Sequence, residues 1–526
     1  MNLVNRRKSE RKKLEGIEVY SRTVGGYLGK SMDISLFGVF VLSERELPVG
    51  AKILLELNSS KNNSIIKALG EVKRNNISFA NDSHQGKGMG IEFIHIYEVY
   101  KSRLLELINK NGVNSDEYNL GDFFNIPSDD LFFKTESAFS YLKDMEAKGY
   151  NRYRTMLLSS IKNRVNILDQ KTNKVKELIM MGSSDYLGLI NHPKVKDAIK
   201  IAIEEYGMGS SSAPLLAGST DLHFELEEKL AKFLNFEEVI IFPTGYMANM
   251  GCISALVDKD DLTIFDSAIH ASVLDGCKLS GGSFRIFKHS DIRNLSMLLS
   301  KYQDKFKGKL IVVEGVYSMD GDLVPLPDIL GIAKEFGAKI MVDDAHGIGV
   351  MGENGRGTVN HFGLDDQVDI VMGSLSKSLG CLGGFVASSK EVIHYLRYFS
   401  KPYFYAVNLP PAIAASALAA LEIIETEPKL IKQLWKNTNY FKEKLTISGV
   451  EFNHSETPIF SVTVGEELRL KKVSKYIHEQ GVYVDTIPYP AVPKDKTRIR
   501  MRVTAMHKKS DLDEAVSVIH DALDKY

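Results

Sequence analysis

Continuous apolar runs that alternate with helix-length amphipathic segments constrain the fold of this chain more than any other feature. Four of these runs are predicted as strands, namely Val239–Phe242, Leu310–Val313, Ile340–Val342 and Ile370–Met372. Strands without polar alternation are buried on both faces, which is typical of a parallel sheet between two layers of helices. The sequence beyond about residue 150 therefore predicts an α/β fold with a mainly parallel sheet.

Chemically useful side chains follow three of these predicted strands. The turn Thr244-Gly245-Tyr246 follows the first strand, the run Asp343-Asp-Ala-His346 follows the third, and Lys377 follows the fourth. The segment His270-Ala-Ser272 lies between the first two strands. A reactive amine, a carboxylate, a flat ring and a phosphate seat are the parts that bind and use pyridoxal 5′-phosphate, PLP. This set of motifs predicts a PLP site.

Several further motifs occur in one consistent order along residues 150–526. They are Ser184-Asp-Tyr-Leu-Gly-Leu189, Leu216-Ala-Gly-Ser-Thr-Asp-Leu-His223, Thr244-Gly-Tyr-Met-Ala-Asn249, Glu314-Gly-Val-Tyr-Ser-Met-Asp-Gly-Asp322 and Arg498-Ile-Arg500. Together they resemble the PLP-dependent α-oxoamine synthases, which include 8-amino-7-oxononanoate synthase, glycine C-acetyltransferase and serine palmitoyltransferase. The resemblance implies a fold-type-I PLP-dependent transferase, with a large PLP domain at about 180–420 and a smaller C-terminal α+β domain at about 421–526. It also implies a homodimer.

The same resemblance implies a role for each site residue. Lys377 is expected to form the Schiff base with PLP, Asp343 to pair with the pyridine nitrogen, and His270 to stack on the ring; these three are the predicted catalytic residues. The other predicted cofactor-binding residues are Thr244, Gly245, Tyr246, Glu314, Ser318, His346 and Ser374.

Arg500 is expected to bind the carboxylate of the amino-acid substrate, because a guanidinium fork matches a carboxylate. Arg498 and Arg502 alternate with it along the same predicted strand and stay alternatives. The sequence departs from the family elsewhere. Ser184 stands where relatives commonly have Asn, and Ala406 and Val407 stand where they usually carry Ser or Thr. These departures leave the substrate and one contact across the dimer interface open.

The implied reaction joins a small amino acid to an acyl thioester with loss of carbon dioxide. The acyl carrier is either coenzyme A or acyl carrier protein, and neither the amino acid nor the acyl length is defined. Two alternatives stay open. One is a fold-type-I aminotransferase or decarboxylase that shares Lys377 and Asp343. The other is a nucleotide receptor whose PLP domain no longer turns over.

The first hundred residues have a different pattern, with short apolar or alternating runs between Gly, Asn and Ser turns. The predicted strands are Gly16–Arg22, Val39–Ser43, Ala51–Leu57, Ile65–Arg74 and Gly90–Ile96. A helix is predicted at Tyr97–Asn109, and the polar stretch 110–128 is interpreted as a linker. We therefore predict a small β-domain at 1–112, a linker and helix at 113–149, and the synthase at 150–526.

Two motifs in the small domain indicate a ligand. Arg7 and Arg11 frame an Arg-x-x-x-Arg, and Asp33-Ile-Ser35-Leu-Phe-Gly38 follows after a strand-length gap. A basic head or an Asp-x-Ser-x-x-Gly turn alone is commonplace, but in this order they resemble a PilZ domain. That family binds cyclic di-GMP, so the resemblance implies a PilZ-like β-barrel that binds this nucleotide through Arg7, Arg11, Asp33, Ser35 and Gly38.

Composition adds few constraints. The net charge of −1 gives no reason to expect a nucleic-acid polymer as partner, and three widely spaced cysteines predict neither a disulfide framework nor a metal site. The start of the chain lacks the apolar region of a signal peptide. The most apolar stretch, at about 405–424, contains Pro410 and Pro411 and is interpreted as a core helix instead of a transmembrane segment. A cytoplasmic enzyme is the expectation.

Overall fold

The computed structural model describes residues 12–13, 17–21, 23, 25–35, 38–43, 45–59, 64–81, 84–96, 114–124, 130–169 and 172–526. The chain divides into two compact units. One unit comprises Met1–Tyr153, Val464–Lys475 and Ile487–Thr497, and the other comprises Arg154–Thr463, Tyr476–Thr486 and Arg498–Tyr526. The domain boundaries near residues 112 and 149 stay predictions.

A closed β-barrel forms the N-terminal part of the chain. Its strands are β1 (Lys12–Lys13), β2 (Ile17–Ser21), β3 (Gly26–Ser35), β4 (Gly38–Leu42), β5 (Lys52–Ser59), β6 (Ser64–Asn81) and β7 (His84–Ile96). The order β3-β2-β5-β6-β7-β4 closes because β3 also pairs with β4, and β1 is added to the outside of β3. All of these pairings are antiparallel. Alternate residues such as Val19, Leu55 and Leu57 fill the interior. The predicted barrel is therefore confirmed.

The set of five strands predicted for this region lacks one strand. Strand β3 was not among them, although it carries Asp33 and Ser35 and completes the six-stranded barrel. Its buried residues include Leu28, Ser31 and Ile34, which are three positions apart and one of which is polar, so the sequence shows no apolar alternation there. At Gly29 a Cβ atom would lie 1.8 Å from the carbonyl oxygen of Leu42, so the close approach of β3 to β4 requires glycine there. The predicted helix Tyr97–Asn109 lies outside the described residues.

The stretch interpreted as a linker contains packed structure. Residues 114–124 include a short 3-10 helix, Leu120–Phe123, and Tyr118 and Phe123 are buried against Tyr141. The polar composition of 110–128 gave no indication that Tyr118 and Phe123 are buried. The described part of this stretch is packed, unlike a flexible linker.

The remaining elements alternate helices and strands. The helices are α1 (Phe133–Ala147), α2 (Pro193–Tyr206), α3 (Asp221–Leu234), α4 (Gly245–Leu256), α5 (Ala271–Ser280), α6 (Ile292–Tyr302), α7 (Leu326–Phe336), α8 (Thr358–His361), α9 (Lys390–Phe399), α10 (Lys401–Phe404), α11 (Pro411–Thr426), α12 (Lys429–Ile447), α13 (Glu467–Glu479) and α14 (Lys509–Lys525). The strands are β8 (Arg164–Asp169), β9 (Lys174–Met180), β10 (Glu238–Phe242), β11 (Leu262–Asp266), β12 (Ser283–Phe287), β13 (Lys309–Glu314), β14 (Lys339–Asp343), β15 (Ile370–Ser374), β16 (Gly384–Ser388), β17 (Ile459–Gly465), β18 (Val482–Tyr483), β19 (Asp485–Ile487) and β20 (Thr497–Arg502).

Seven strands form the central sheet, in the order β10-β16-β15-β14-β13-β11-β12. Strand β16 runs antiparallel to both of its neighbours, and the other pairs are parallel. Val239 and Ile241 of β10 pack into one hydrophobic cluster, whereas Ile240 and Phe242 pack into another. Because side chains alternate along a strand, the sheet has a core on each face. The mainly parallel sheet is confirmed.

Two smaller sheets accompany the C-terminal helices α12, α13 and α14. One has the order β17-β20-β19, and the other has the order β18-β9-β8. The apolar stretch at about 405–424 becomes helix α11, whose buried residues include Ala414, Ala417 and Leu421. Among the described residues, no helix is both long and apolar enough to cross a membrane.

The packing of α11 gives a stability prediction. Leu421 is fully buried, so Leu421→Ala should lower the free energy of unfolding by about 2–5 kcal/mol. Leu279→Ala is the control, because this leucine is exposed and its loss should change stability by less than about 0.5 kcal/mol. Denaturant unfolding followed by the fluorescence of Trp435, the single tryptophan, measures both, since Trp435 packs against the same cluster. Equal effects would contradict the assigned core.

Candidate active site

A cavity of about 290 Å³ lies at the carboxyl ends of the central strands. It is lined by residues that end or follow β10, β13, β14 and β15, together with residues at the start of α5. The lining residues that the sequence predicted are Thr244, Gly245, Tyr246, His270, Glu314, Ser318, Asp343, His346, Ser374 and Lys377. The fold therefore brings these predicted residues together around one space. Ligands bind at this edge of open α/β sheets as a rule.

A larger cavity of about 700 Å³ lies along α3 and α9 in the same unit. Arg397, on its wall, forms ion pairs with Glu227 at 3.1 Å and with Glu238 at 2.8 Å. It lacks the convergence of amine, carboxylate and imidazole that the smaller cavity has. The smaller cavity is therefore the candidate site.

Lys377 follows β15 in a turn and reaches the cavity with a partly buried side chain. Burial lowers the pKa of its amine, and the positive charges of Arg502 and Arg500 lower it further. The carboxylates of Asp343 and Glu314 oppose this shift without cancelling it. A lysine whose pKa is lowered gives up its proton more readily, so it can act as a nucleophile and as a proton carrier.

Asp343 ends β14 and is held by hydrogen bonds. Its Oδ2 accepts from Asn249 Nδ2 at 2.7 Å, and its Oδ1 accepts from the backbone N–H two residues on at 3.2 Å. The same amide donates to Ser272 Oγ at 2.9 Å, and Ser272 Oγ lies 2.8 Å from His270 Nδ1. This network ties the buried carboxylate to the histidine across two elements.

The network also defines the proton position on His270. Ser272 Oγ accepts from Asn249, so its own proton is free to point to His270 Nδ1, and the backbone N–H of Ser272 also donates there at 3.3 Å. Burial lowers the pKa of His270. The imidazole is therefore neutral at pH 7, with its proton on Nε2.

The first turn of α4 provides a seat for an anion. Thr244 is the N-cap, and its Oγ1 accepts from the backbone N–H three residues on at 3.1 Å. The first N–H groups of a helix have no partner within it, and the helix dipole favours negative charge there. Ser374 lies beside this turn, because a Cβ on Gly245 would be 3.4 Å from Ser374 Oγ. Gly384 lets the adjacent strand come close, since its Cβ would be 2.4 Å from Gly245 Cα.

Two further predicted residues, Glu314 and His346, line the same cavity. Glu314 is fully buried, and burial, with the charge of Asp343 nearby, raises the pKa of its carboxyl group. Its Oε2 accepts from the backbone N–H of Ser318 at 3.1 Å. Burial lowers the pKa of His346 well below its usual value, and Tyr186 Oη lies 2.8 Å from His346 Nδ1. Burial therefore favours the uncharged form of both groups.

The three alternating arginines of β20 have different contacts. Arg498 forms an ion pair with Asp320, whereas Arg500 donates from Nη1 to the carbonyl oxygen of Ser318 at 2.7 Å. Ser318 lines the cavity, so Arg500 is hydrogen-bonded to a residue of the cavity wall. Arg502 donates to Ser184, the residue that stands where relatives commonly have Asn.

Some predicted features lie outside this cavity. Ala406 and Val407 lie in the segment between α10 and α11, where Val407 is exposed. Arg7 and Arg11 lie outside the described residues. Asp33 and Ser35 are in β3, where the backbones pair with Phe40 and Gly38 of β4.

Sequence reasoning did not assign roles to several residues that the structure brings into the site. Asn249, Ser272 and Tyr186 support the predicted residues through hydrogen bonds, and Asp485 contacts Arg500. Asn249 and Ser272 lie within the sequence motifs that start at Thr244 and His270, but those motifs assigned no role to either residue.

Comparisons with known proteins agree with this geometry. The family model described as aminotransferase class I and II matches residues 176–519, and the PilZ domain model matches residues 5–110. The 8-amino-7-oxononanoate synthase of Thermoanaerobacter pseudethanolicus is 43% identical over 375 residues, which cover 71% of this chain and 93% of that protein. The chain belongs to the class I and II aminotransferase family. Its α-oxoamine synthase motifs and its N-terminal PilZ domain are confirmed as well.

Two other relatives extend the comparison. The 4-hydroxy-2,2'-bipyrrole-5-methanol synthase PigH of a Serratia species is 37% identical over 409 residues, which cover 78% of this chain and 62% of PigH. A serine palmitoyltransferase structure from S. paucimobilis with bound PLP and myriocin has a TM-score of 0.71 and 29% identity, and it covers 75% of this chain and 98% of that one. The fold-type-I architecture and PLP as cofactor are thereby confirmed.

The residues around the cavity fit PLP. Lys377 offers an amine of lowered pKa, Asp343 offers a carboxylate at the far side, and the first turn of α4 offers N–H groups for a phosphate. Gly384 lets its strand lie directly against the turn at Gly245, since a Cβ there would be 2.4 Å from Gly245 Cα. Together these residues provide the amine, the carboxylate and the phosphate-binding N–H groups that PLP requires.

The hydrogen-bond network predicts the effect of Asn249. Asn249→Ala removes the donor to Asp343 and to Ser272, so the carboxylate loses its orientation and the PLP dissociation constant should rise about 10- to 100-fold. PLP absorbance after equilibrium dialysis measures it. Asn360→Ala is the control, because Asn360 donates to Asp365 away from the cavity at 3.1 Å. An unchanged dissociation constant in Asn249→Ala would contradict the role of the network.

Proposed function

We propose that this chain is an α-oxoamine synthase that joins a small amino acid to an acyl thioester. In the balanced reaction the amino acid loses its carboxyl group as carbon dioxide, the acyl group forms a bond to Cα, and the carrier leaves as a thiol. The observation that carries the proposal is the convergence of Lys377, Asp343 and neutral His270 on one cavity, with Arg500 at its rim. The relatives' names, oxononanoate synthase and palmitoyltransferase, support the same reaction class.

Each residue has a role that follows from its surroundings. Bound PLP supplies an electron sink for negative charge at the substrate Cα. Asp343, oriented by Asn249, accepts the hydrogen bond of the pyridine nitrogen. Arg500 binds the amino-acid carboxylate and so fixes which Cα bond is aligned for cleavage. Lys377 carries the proton from and to Cα, since burial lowers the pKa of its amine.

His270 has two functions in this proposal. Its ring provides a flat face for the cofactor, and its Nε2–H is a donor for the thioester carbonyl oxygen, where negative charge develops. The donor follows from the network, because Nδ1 already accepts from Ser272. Burial favours the uncharged forms of Glu314 and His346 beside the ring. The homodimer, the cytoplasmic location and the identity of the acyl carrier stay predictions.

Lys377 provides the first test of this function. Lys377→Ala should abolish the absorbance of the covalently bound cofactor and the release of thiol, while Trp435 fluorescence keeps its native spectrum. The assay combines alanine, glycine or serine with a series of acyl thioesters and measures thiol and carbon dioxide. Lys200→Ala, at an exposed helix position, is the control. Conversion of the amino acid without thiol release in the wild type would favour an aminotransferase or plain decarboxylase instead.

Control by cyclic di-GMP is the second part of the proposal, and the segment after the barrel supports it. Lys471 of α13 is buried and donates to the carbonyl oxygens of Ser115 at 2.7 Å and Tyr118 at 2.8 Å. Its ammonium lies 5.2 Å from the ring centre of Tyr141. These contacts anchor residues 114–124, which follow the PilZ domain along the chain.

The same segment contacts the turn that precedes β20. A Cβ on Gly121 would lie 2.0 Å from a ring carbon of Tyr489, so the tyrosine ring rests directly on the glycine. Tyr489 belongs to the turn between β19 and β20, and β20 carries Arg500. A shift of residues 114–124 is therefore passed along the chain to the carboxylate-binding strand. A ligand changes the rate only if it binds the two arrangements with different affinity.

Nucleotide binding itself is tested at the barrel. Cyclic di-GMP should bind the full chain, and Arg7→Ala/Arg11→Ala should remove that binding, because guanidinium groups grip phosphate and stack on guanine. Calorimetry measures both. Binding that is unchanged in the double variant would mean that these arginines are not the nucleotide ligands.

The coupling is tested at Gly121. Gly121→Ala should keep cyclic di-GMP binding but reduce the nucleotide's effect on kcat/KM for the amino acid, because the added methyl displaces Tyr489. Gly331→Ala is the matched control, since a Cβ there meets no atom within 4 Å. If the nucleotide's effect persists at full size in Gly121→Ala, the coupling does not pass through this contact. If wild-type kinetics do not respond to saturating nucleotide, the PilZ domain serves docking or localisation.

A further inference from the structure

A carboxylate of the chain itself occupies one edge of Arg500. Asp485, the first residue of β19, accepts at Oδ2 from Arg500 Nη2 at 2.8 Å and from Nε at 3.2 Å. The remaining nitrogen, Nη1, donates to the carbonyl oxygen of Ser318 at 2.7 Å. Because the Nε and Nη2 edge is taken by Asp485, the guanidinium is left with its Nη1 and Nη2 edge for an incoming carboxylate. Asp485 thus fixes the orientation of Arg500.

Arg502 places a second positive charge at the same carboxylate. Its Nη2 donates to the same oxygen of Asp485, and its Nη1 donates to Ser184 Oγ. The residue is more than nine-tenths buried, and its Nε has no hydrogen-bond partner among the residues that the structure describes. Arg502 is therefore a buried cation whose hydrogen-bonding capacity is not filled by this chain.

The charges around Asp485 do not balance. Two guanidinium groups and one carboxylate leave a net charge of +1, and Arg498 does not alter this count because it is paired with Asp320. The nearby Tyr186 hydroxyl is neutral, since burial raises its pKa to about 12. An unbalanced buried charge is costly until an anion joins it. One further carboxylate brings this cluster to neutrality.

We propose that Asp485 and Arg502 set the charge of the substrate-carboxylate site, so that it accepts an amino acid with one carboxylate and an uncharged side chain. Asp485 aims Arg500, and Arg502 supplies the second positive charge; both are positioning residues. The inference rests on the proposed function, in which Arg500 binds the α-carboxylate. A dicarboxylic amino acid would bring a second negative charge that this cluster leaves without a counter-ion.

The test measures amino-acid binding to the PLP-loaded enzyme without acyl thioester. L-alanine is titrated while the cofactor absorbance is recorded, which gives a dissociation constant independent of turnover. Arg502→Met should raise this constant about 10- to 100-fold, the range expected for loss of a charged hydrogen-bond partner. Arg502→Lys keeps the positive charge, so it should raise the dissociation constant less than Arg502→Met does. In kinetics the effect should fall on KM for the amino acid more than on kcat.

A double variant separates charge from structure. Asp485→Asn combined with Arg502→Met restores a net charge of +1 through Arg500, so its dissociation constant should recover part of the loss seen in Arg502→Met. If Arg502 has only a structural role, the double variant should bind L-alanine no more tightly than Arg502→Met does. That result would overturn the inference. Tighter wild-type binding of L-aspartate than of L-alanine would overturn it as well.

Arg500→Met distinguishes this inference from the function on which it rests. If Arg500→Met weakens L-alanine binding but Arg502→Met does not, the proposed function stands and the charge role of Arg502 is wrong. If Arg500→Met leaves the dissociation constant unchanged, the carboxylate site itself is misplaced and the proposed function fails at that step.

Discussion

Burial of the central sheet on both faces is the constraint on which the rest of this structure depends. Strands such as β13 and β14 contribute alternate side chains to two separate cores, so neither face has room for polar chemistry. In β13 and β14 the ionisable groups of the site stand where each strand ends. Glu314 and Asp343 are the last residues of those two strands, and Lys377 follows β15. The active site is thus a consequence of where the apolar runs stop.

Desolvation at that edge then determines the chemistry. It lowers the pKa of Lys377, His270 and His346, and it raises the pKa of Glu314. All four shifts favour the neutral form of each group. The carboxylate of Asp343 is the contrasting group, because it receives hydrogen bonds from Asn249 and from a backbone N–H. The site therefore combines a hydrogen-bonded carboxyl group at Asp343 with a lysine whose lowered pKa suits proton transfer at Cα.

The sequence was sufficient for features that depend on local pattern. Predicted strand Ile340–Val342 became Lys339–Asp343, and all ten predicted cofactor-binding residues line one cavity. It was insufficient where the signal is long-range or hidden. Strand β3 was missed because its buried residues do not alternate and include the polar Ser31. Asp485 was missed because no local motif marks a carboxylate whose partner lies 15 residues away. Contacts between residues that come together only on folding have no local sequence pattern from which they could be predicted.

In the proposed function, substrate recognition and control by the nucleotide both depend on strands β19 and β20. Strand β19 begins with Asp485 and β20 ends with Arg502, and the turn between them holds Tyr489, on which Gly121 packs. The carboxylate site is sensitive to small displacements, because Asp485 must hold two guanidinium groups at one oxygen. A movement of the turn too small to disturb either hydrophobic core can still change the aim of Arg500. Under the proposed control by cyclic di-GMP, a displacement of residues 114–124 would therefore alter amino-acid binding at Arg500 before it altered the buried chemistry at Lys377.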